Sequence, residues 1–311
     1  MKMENLYTTA GITRQAFYRW LYRSTSGQQR TPPHVVLEMA RDVRENHLPG
    51  SSAREVYFYI RSKHEAYKTA LSGWGKHRFE AICLANGLRV EYRRPFIKTT
   101  LRGDFVFPNR IEGAEISNID QVWVSDICYL FGSQGKLIGY ATSLLDLYSR
   151  RLLGLSFSQT MRAEETAQSV LCQAFEVRKQ TAFERLVFHS DAGKQYIETN
   201  FVRALRSRKI QSSMAKNCYE NAFAEAFNDT LKNHMLCDTT LNSFAQFKKQ
   251  EGFLKQCYNH NKPHTSLNRM TPVEFELNLL SMQPCQRTLL KIKKIEPRPN
   301  NLDHLLSLKS S

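Results

Sequence analysis

The sequence predicts an α/β protein: a mixed-sheet core with helices on both faces, preceded by all-α modules. Three observations predict it. From residue 120 onward three strand-like runs follow one another and then give way to alternating helical and extended stretches, the order from which a mixed sheet is built. Before residue 90 the apolar residues recur at helical intervals between capping residues and Gly or Pro stops. The charge divides along the same lines. Residues 1–118 carry 19 Lys+Arg against 11 Asp+Glu, residues 119–280 carry 19 against 16, and residues 281–311 carry 6 against 2.

The whole chain of 311 residues has a formal net charge of +15, so a polyanion is the expected partner, gripped by the two ends around a nearly balanced middle. Seven cysteines are scattered with no Cys-x-x-Cys pair, the usage of free thiols in a reducing compartment. No signal peptide is evident, and no apolar run approaches the roughly 18 residues of a membrane span. The expected location is therefore cytoplasmic, with no membrane partner.

Residues 3–23 read as a helix-turn-helix. Leu6 and Ala10 belong to a first helix, Gly11 permits the turn and Thr13 is a good N-cap. In the next helix Ala16, Phe17, Trp20 and Leu21 form an apolar side, while Arg14, Gln15, Tyr18, Arg19, Tyr22 and Arg23 face elsewhere. Such a face suits a helix lying on DNA; an amphipathic helix with a solvated basic face gives the same pattern. After a polar linker at 27–33, residues 31–92 form a second helical module. Helices are expected at 34–47 (stopped by Pro49-Gly50), from the cap Ser52 through Lys63, and at 76–86 (ended by Gly87), followed by a strand-like run at 88–92. This module reads either as a second DNA-binding unit or as a structural bundle. Residues 93–118 are a linker with Arg93, Arg94, Lys98, Arg102 and Arg110, able to follow a phosphate backbone or simply to be solvated.

The core is placed at 119–280. Strands are expected at 121–131 and 137–146, joined by a hairpin at 132–135, and at 151–157. A helix at 162–179, a strand at 186–188, a helix at 197–208 and a strand at 210–214 follow. A helix carrying Glu225 and a long helix at 244–259 complete it. Residues 281–311 form a basic tail with Lys291, Lys293, Lys294 and Arg298.

Chemistry concentrates on three acids. Asp191 lies in Phe188-His189-Ser190-Asp191-Ala192-Gly193-Lys194-Gln195-Tyr196, where a buried strand ends and a turn begins. Asp126 interrupts the apolar run Trp123-Val124-Ser125-Asp126-Ile127, and Glu225 follows Asp191 with 33 residues between. A lone carboxylate in an apolar setting is costly, and three of them suggest a shared cation. Their all-oxygen chemistry suits Mg²⁺ or Mn²⁺, although any one acid alone could be a helix cap or half of an ion pair. Lys232, seven residues beyond Glu225, shares its helix face, as does Asn221, four residues before it. His189 and Gln195 flank the second acid in supporting positions. Asp146 at a strand end reads as turn structure. His260 and His264 have a metal-like interval, but Pro263 between them spoils a regular helix.

These stretches resemble the catalytic core of insertion-sequence DDE transposases in the retroviral-integrase superfamily. The pattern His-Ser-Asp-x-Gly-x-Gln-Tyr is matched at every fixed position from His189 to Tyr196. Trp123-Val124-Ser125-Asp126-Ile127-Cys128-Tyr129 is close to Trp-x-Thr-Asp-Ile-Thr-Tyr, and Glu220-Asn221-Ala222 stands where the family has Asp-Asn-Ala. The segment around Gly11 to Trp20 and that from Tyr258 to Phe275 are similar to the family's opening and closing segments. The resemblance implies a ribonuclease H-like core at 119–280 and helix-turn-helix modules at 1–30 and 31–92. It implies Asp126, Asp191 and Glu225 as catalytic ligands of two Mg²⁺ or Mn²⁺ ions. Lys232 would contact DNA near the scissile bond. The implied activity is strand cleavage at terminal inverted repeats and strand transfer into target, on double-stranded DNA. A homo-oligomer, at least a dimer on DNA, goes with it, as does a subunit from an upstream reading frame, in a bacterial cytoplasm at the nucleoid. Two departures stand out: Glu220 replaces Asp, and residues 213–217 are about two residues shorter than the family form. They leave room for a catalytically inactive or domesticated DNA-binding regulator, and for Glu220 as a rival third acid. A structure-selective nuclease of the same fold is a further alternative.

Overall fold

Alternation along one strand sets the architecture. The computed structural model describes residues 11, 13–18, 30–90, 106–132, 135–215, 218–236 and 243–293. Strand β2 (Val122–Phe131) lies at the centre of a five-stranded sheet of order β4-β3-β2-β5-β6. It pairs antiparallel with β3 (Leu137–Asp146), which pairs antiparallel with β4 (Leu152–Ser158). On its other side it runs parallel to β5 (Val187–Ser190), itself parallel to β6 (Gln211–Met214). Successive side chains of a strand point to opposite faces. Accordingly Val122, Val124, Cys128 and Leu130 pack with Ala224, Phe227, Phe247 and Leu254 on one face. Trp123 and Ile127 pack with Val170, Leu171, Phe201 and Leu205 on the other. The first face is covered by α7 (Ala222–Thr230) and α8 (Phe244–Gln256), the second by α5 (Ala167–Arg178) and α6 (Thr199–Ser207). This strand order, three antiparallel strands followed by two parallel ones, is the ribonuclease H-like arrangement the sequence leads one to expect.

Helices α1 (Pro33–Asn46), α2 (Ala53–Lys63), the short α3 (Glu65–Lys68) and α4 (Lys76–Ala85) close on a core of their own, with Val36, Val43, Ile60, Leu71, Phe79 and Cys83 inside. Ser52 caps α2 through a reciprocal box with Glu55. The strand expected at 88–92 does not form over residues 88–90. Instead the Leu88 N–H donates to the Cys83 carbonyl at 2.9 Å, and Leu88 folds back on the bundle beyond Gly87 at φ 78°. Residues 91–92 lie outside the described residues, as does most of the first helix-turn-helix. Within the latter, one helical turn at residues 14–18 follows Thr13, whose Oγ1 accepts from the Ala16 N–H at 3.2 Å, the expected cap.

The bundle is docked on the core's closing segment. Lys262 pairs with Glu55 at 2.5 Å and Lys63 with Glu274 at 2.9 Å, and Asn261 Nδ2 donates to the His47 carbonyl at 2.9 Å. Gly50 is required here. It sits at φ +64°, and a Cβ on it would lie 1.2 Å from the His234 carbonyl oxygen.

The expected boundaries at 118 and 280 cut through one packed layer. Ile111 and Ile116 are buried against the α7 face, and β1 (Glu115–Ile116) pairs antiparallel with β7 (Leu290–Lys291). Arg110 donates its backbone N–H to Ser213 Oγ at 2.9 Å and its Nε to the Ser212 carbonyl at 3.3 Å, so this cation of the basic linker is spent on the sheet edge. Helix α9 (Pro272–Ser281) is anchored by a buried charge network. Arg178 grips both carboxylate oxygens of Glu276 at 2.8 Å and Asp120 Oδ1 at 2.7 Å. Asp146 belongs to this network, and its Oδ1 accepts the backbone N–H groups of Tyr148 and Ser149 at 3.0 and 2.8 Å, which makes it turn structure. Among the described residues five cysteines are free thiols, and no helix is long and apolar enough to cross a membrane.

Candidate active site

Sheet register brings the first two acids together. Ser125 is the partner of Ser190 in the parallel β2–β5 pair, so Asp126 and Asp191 each lie one step beyond it, on strands roughly 4.8 Å apart. Asp126 has the same parity as Val124 and Cys128, so it faces α7. Glu225 lies in the first turn of that helix. One turn further on, Asn228 donates its Nδ2 to Asp126 Oδ2 at 2.7 Å. Burial holds the Asp126 carboxyl up at about 7, helped by the charges of Asp191 and then Glu225. Asp191 is also raised by burial, against the Gly193 N–H that reaches its Oδ1 at 3.2 Å. Glu225 is raised by burial and pulled back by the Lys232 charge. Asp126 thus feels the charge of both other acids, while Asp191 and Glu225 are set mainly by burial and by their nearer partners Gly193 and Lys232. The three carboxylates do not crowd to within 4.8 Å of one another.

The backbone around the acids is tied down. Asn221, buried ahead of α7, donates its Nδ2 to the Ser125 carbonyl at 3.0 Å, fixing the start of the Glu225 helix to the strand that carries Asp126. Its Nδ2 is therefore spent on the backbone. Ser125 Oγ and Tyr196 OH are 3.0 Å apart on the opposite face. At Gly193 a Cβ would meet Gln195 Oε1 at 2.8 Å and Asp191 Oδ1 at 3.0 Å, so a glycine is needed for the close approach of the turn to the acid.

His189 is buried within β5, two residues before Asp191. Its Nδ1 is 2.9 Å from Ser213 Oγ, and burial holds it down to about 4, opposed by Glu220 beside it. It is a neutral packing partner of the loop and not of the acids. Glu220, the possible rival for third acid, turns its Oε2 to Asn109 Nδ2 at 2.7 Å. Lys232 is exposed in the π turn Leu231–Met235, close enough to act on both Glu225 and Cys128. Arg14, Gln15 and Tyr18 are exposed, with the Arg14 guanidinium 5.8 Å over the Tyr18 ring. Arg19, Arg23, Arg93 and Arg94 lie outside the described residues. His260 and His264 do not form a metal set: His264 is half-buried and held down to about 3 by desolvation and then Lys262. Sequence reasoning missed Asn228, although its three-residue offset from Glu225 places both on one helix face.

Residues 118–218 match the integrase core domain family, and a second integrase core domain family matches residues 207–272. Insertion element IS600 uncharacterized 31 kDa protein of Shigella sonnei is 25% identical over 271 residues, covering 85% of this chain and 95% of that protein. The transposase for insertion sequence element IS904 of Lactococcus lactis is 29% identical, covering 62% of this chain and 74% of its own length. Transposase InsF for insertion sequence IS3A of Escherichia coli is 30% identical, covering 61% and 66%. The catalytic core domain of HTLV-2 integrase, solved in complex with magnesium, is 15% identical with a TM-score of 0.40 over 56% of this chain and 99% of that one. Integrase-core matches reach from residue 118 to residue 272, and the similar proteins are named for insertion sequences, so the chain belongs to the insertion-sequence transposases of the integrase core superfamily.

Proposed function

We infer that the chain cuts DNA at the terminal inverted repeats of its own mobile element and joins the freed strands to target DNA, using Asp126, Asp191 and Glu225. The observation that carries this is the coupling of the three acids: Asp126 faces Glu225 across the sheet–helix seam, lies beside Asp191 across the strand pair, and is raised by the charge of both. Carboxylates brought together in a half-buried cleft repel unless a proton or a cation lies between them. An all-oxygen donor set fits Mg²⁺ or Mn²⁺, and this reading has two such ions per site. When bound, such ions activate a water or 3′-hydroxyl and neutralise the leaving oxygen of an in-line displacement.

The chain's own residues supply the frame. Asn228 holds one Asp126 oxygen and leaves the other for a ligand. The Gly193 N–H aims Asp191, and Asn221 fixes the helix that presents Glu225. Lys232, exposed beside Glu225, is placed to take a DNA phosphate next to the acids. DNA binding by the N-terminal modules, assembly as at least a dimer on DNA, and partnership with an upstream-frame subunit belong to the same reading.

The test is incubation of the protein with DNA carrying the repeats that flank its gene, in Mg²⁺ or Mn²⁺. Cleavage and joining of a 3′-hydroxyl end are expected, and both are lost in Asp191→Asn while the DNA is still bound. Binding without cleavage in the unmodified protein would leave the regulator reading. Cleavage that never joins a 3′-hydroxyl would leave a nuclease.

A further inference from the structure

A second cluster of ligating side chains lies outside the acidic site, in the helical bundle. Asp42 is in the last turns of α1, His47 is the residue that ends it, and His64 separates α2 from α3. Among the described residues this is the one set of three His, Cys, Asp or Glu whose ligating atoms all lie within 4.8 Å of one another. Its surroundings are built. Tyr67 OH donates to Asp42 Oδ2 at 2.9 Å and Asn46 Nδ2 donates to Asp42 Oδ1 at 2.8 Å, which aims the carboxylate and leaves lone pairs on both oxygens. The Tyr67 ring stacks on His64 with centroids 4.0 Å apart, and Tyr59 stacks on His47 at 5.5 Å, so both imidazoles are held in orientation. His64 Nδ1 is shielded from solvent and has no hydrogen-bond partner, an unfavourable state that coordination relieves.

The geometry points to a zinc-class cation site formed by Asp42, His47 and His64, which fastens the helical bundle in its docked position against the core. Two imidazoles and one carboxylate favour Zn²⁺ over the hard cations suited to the acidic trio. A tetrahedral ion about 2.1 Å from each ligand holds the ligand atoms roughly 3.4 Å apart, within reach of small side-chain rotations from the present spacing. The role follows from what the neighbouring residues hold. The His47 carbonyl accepts Asn261 Nδ2 at 2.9 Å, and Lys63, adjacent to His64, donates to the His260 carbonyl at 2.5 Å and pairs with Glu274. An ion that links the end of α1 to the α2–α3 joint therefore fixes the two backbone segments through which the bundle grips the core.

The experiment uses the full chain, stripped with chelator and titrated with Zn²⁺ against a chromophoric indicator, and in parallel with Co²⁺ followed by visible absorption. One Zn²⁺ equivalent is expected to survive in Asp126→Asn and to be lost in both His47→Gln and Asp42→Asn, with far-UV circular dichroism unchanged. Co²⁺ is expected to give ligand-field bands that disappear in the same two variants, and Zn²⁺ to raise the melting temperature of the parent and of Asp126→Asn only. Absence of a Zn²⁺ equivalent, or an equivalent lost only with Asp126→Asn, would overturn the proposal. Because Asp42→Asn keeps the volume of Asp42 and one of its two hydrogen-bond acceptors, loss of folding in His47→Gln does not protect the idea from that test.

Discussion

Replacing Asp126 by Asn tests the electrostatics of the site without touching DNA. The ordinary Asp value is 3.8 and burial with two neighbouring charges lifts it to about 7, a shift of about three pH units. At about 1.36 kcal/mol per unit, keeping this carboxylate ionised in the cation-free fold costs up to about 4 kcal/mol. The side chain is only partly enclosed, and Asn retains an oxygen for Asn228, so about 2 kcal/mol is the expected net gain. The sign follows from proton binding. With the folded value above the unfolded one, the stabilising protonated form is fully present below pH 3.8 and is lost as the pH rises toward 7. His189 and His264, held down to about 4 and 3 chiefly by burial, act in the opposite sense, giving stability above 6.5 that is lost as the pH falls. Both proteins contain them, so the difference between variant and parent isolates Asp126. Urea unfolding in chelator, followed by circular dichroism, should find Asp126→Asn the more stable protein at pH 8, with the excess shrinking as the pH is lowered toward 4. In Mg²⁺ the parent should recover stability that the variant does not. A variant that is equally or less stable at pH 8 would refute the reasoning.

Three further outcomes follow from the fold. Arg178→Ala strands the buried carboxylates of Glu276, Asp120 and Asp146 and should cost about 3–5 kcal/mol in urea unfolding, with Arg178→Lys a poor rescue because the two-pronged grip is lost. Gly50→Ala combines a left-handed backbone with a methyl 1.2 Å from the His234 carbonyl. It should cost more than about 2 kcal/mol and expose the bundle–core junction to limited proteolysis. Gly193→Ala puts a methyl 3.0 Å from Asp191 Oδ1 and should lower the cleavage rate by about tenfold or more with little change in melting temperature. Equal loss of both would mean that the glycine serves folding and not the site.

Much of the fold was legible because the core strands are apolar on both faces and their breaks are chemically marked. The alternation of Val122, Trp123 and Val124 predicts a central strand, and it fixes the face of Asp126 once that strand is accepted. Ser52 and Glu55 announce a helix start, and Gly87 a helix end. The two-stranded sheet was not legible: Glu115–Ile116 and Leu290–Lys291 are two-residue strands 175 positions apart, each with a single anchoring apolar residue. The strand expected at 88–92 read β-propensity where the helix-closing hydrogen bond from Leu88 to Cys83 prevails. In the site, Asp191 and its turn were marked by their own motif. The part played by Asn221 and the wall made by His189, Ser213 and Glu220 depend on which carbonyl or hydroxyl stands opposite, which no spacing along one strand records. The Asp42, His47 and His64 cluster escaped for the same reason, since its members come from a helix end and an inter-helix joint.

The proposed chemistry requires Asp126, Asp191 and Glu225 to hold a divalent cation together. Crystals of the full chain soaked in Mn²⁺ and measured for anomalous scattering address it directly. One or two peaks are expected within about 2.5 Å of carboxylate oxygens from all three residues, and none at this position in Asp191→Asn. Peaks confined to other acids, or Mn²⁺ bound by Asp126 and Asp191 with Glu225 turned away, would contradict it.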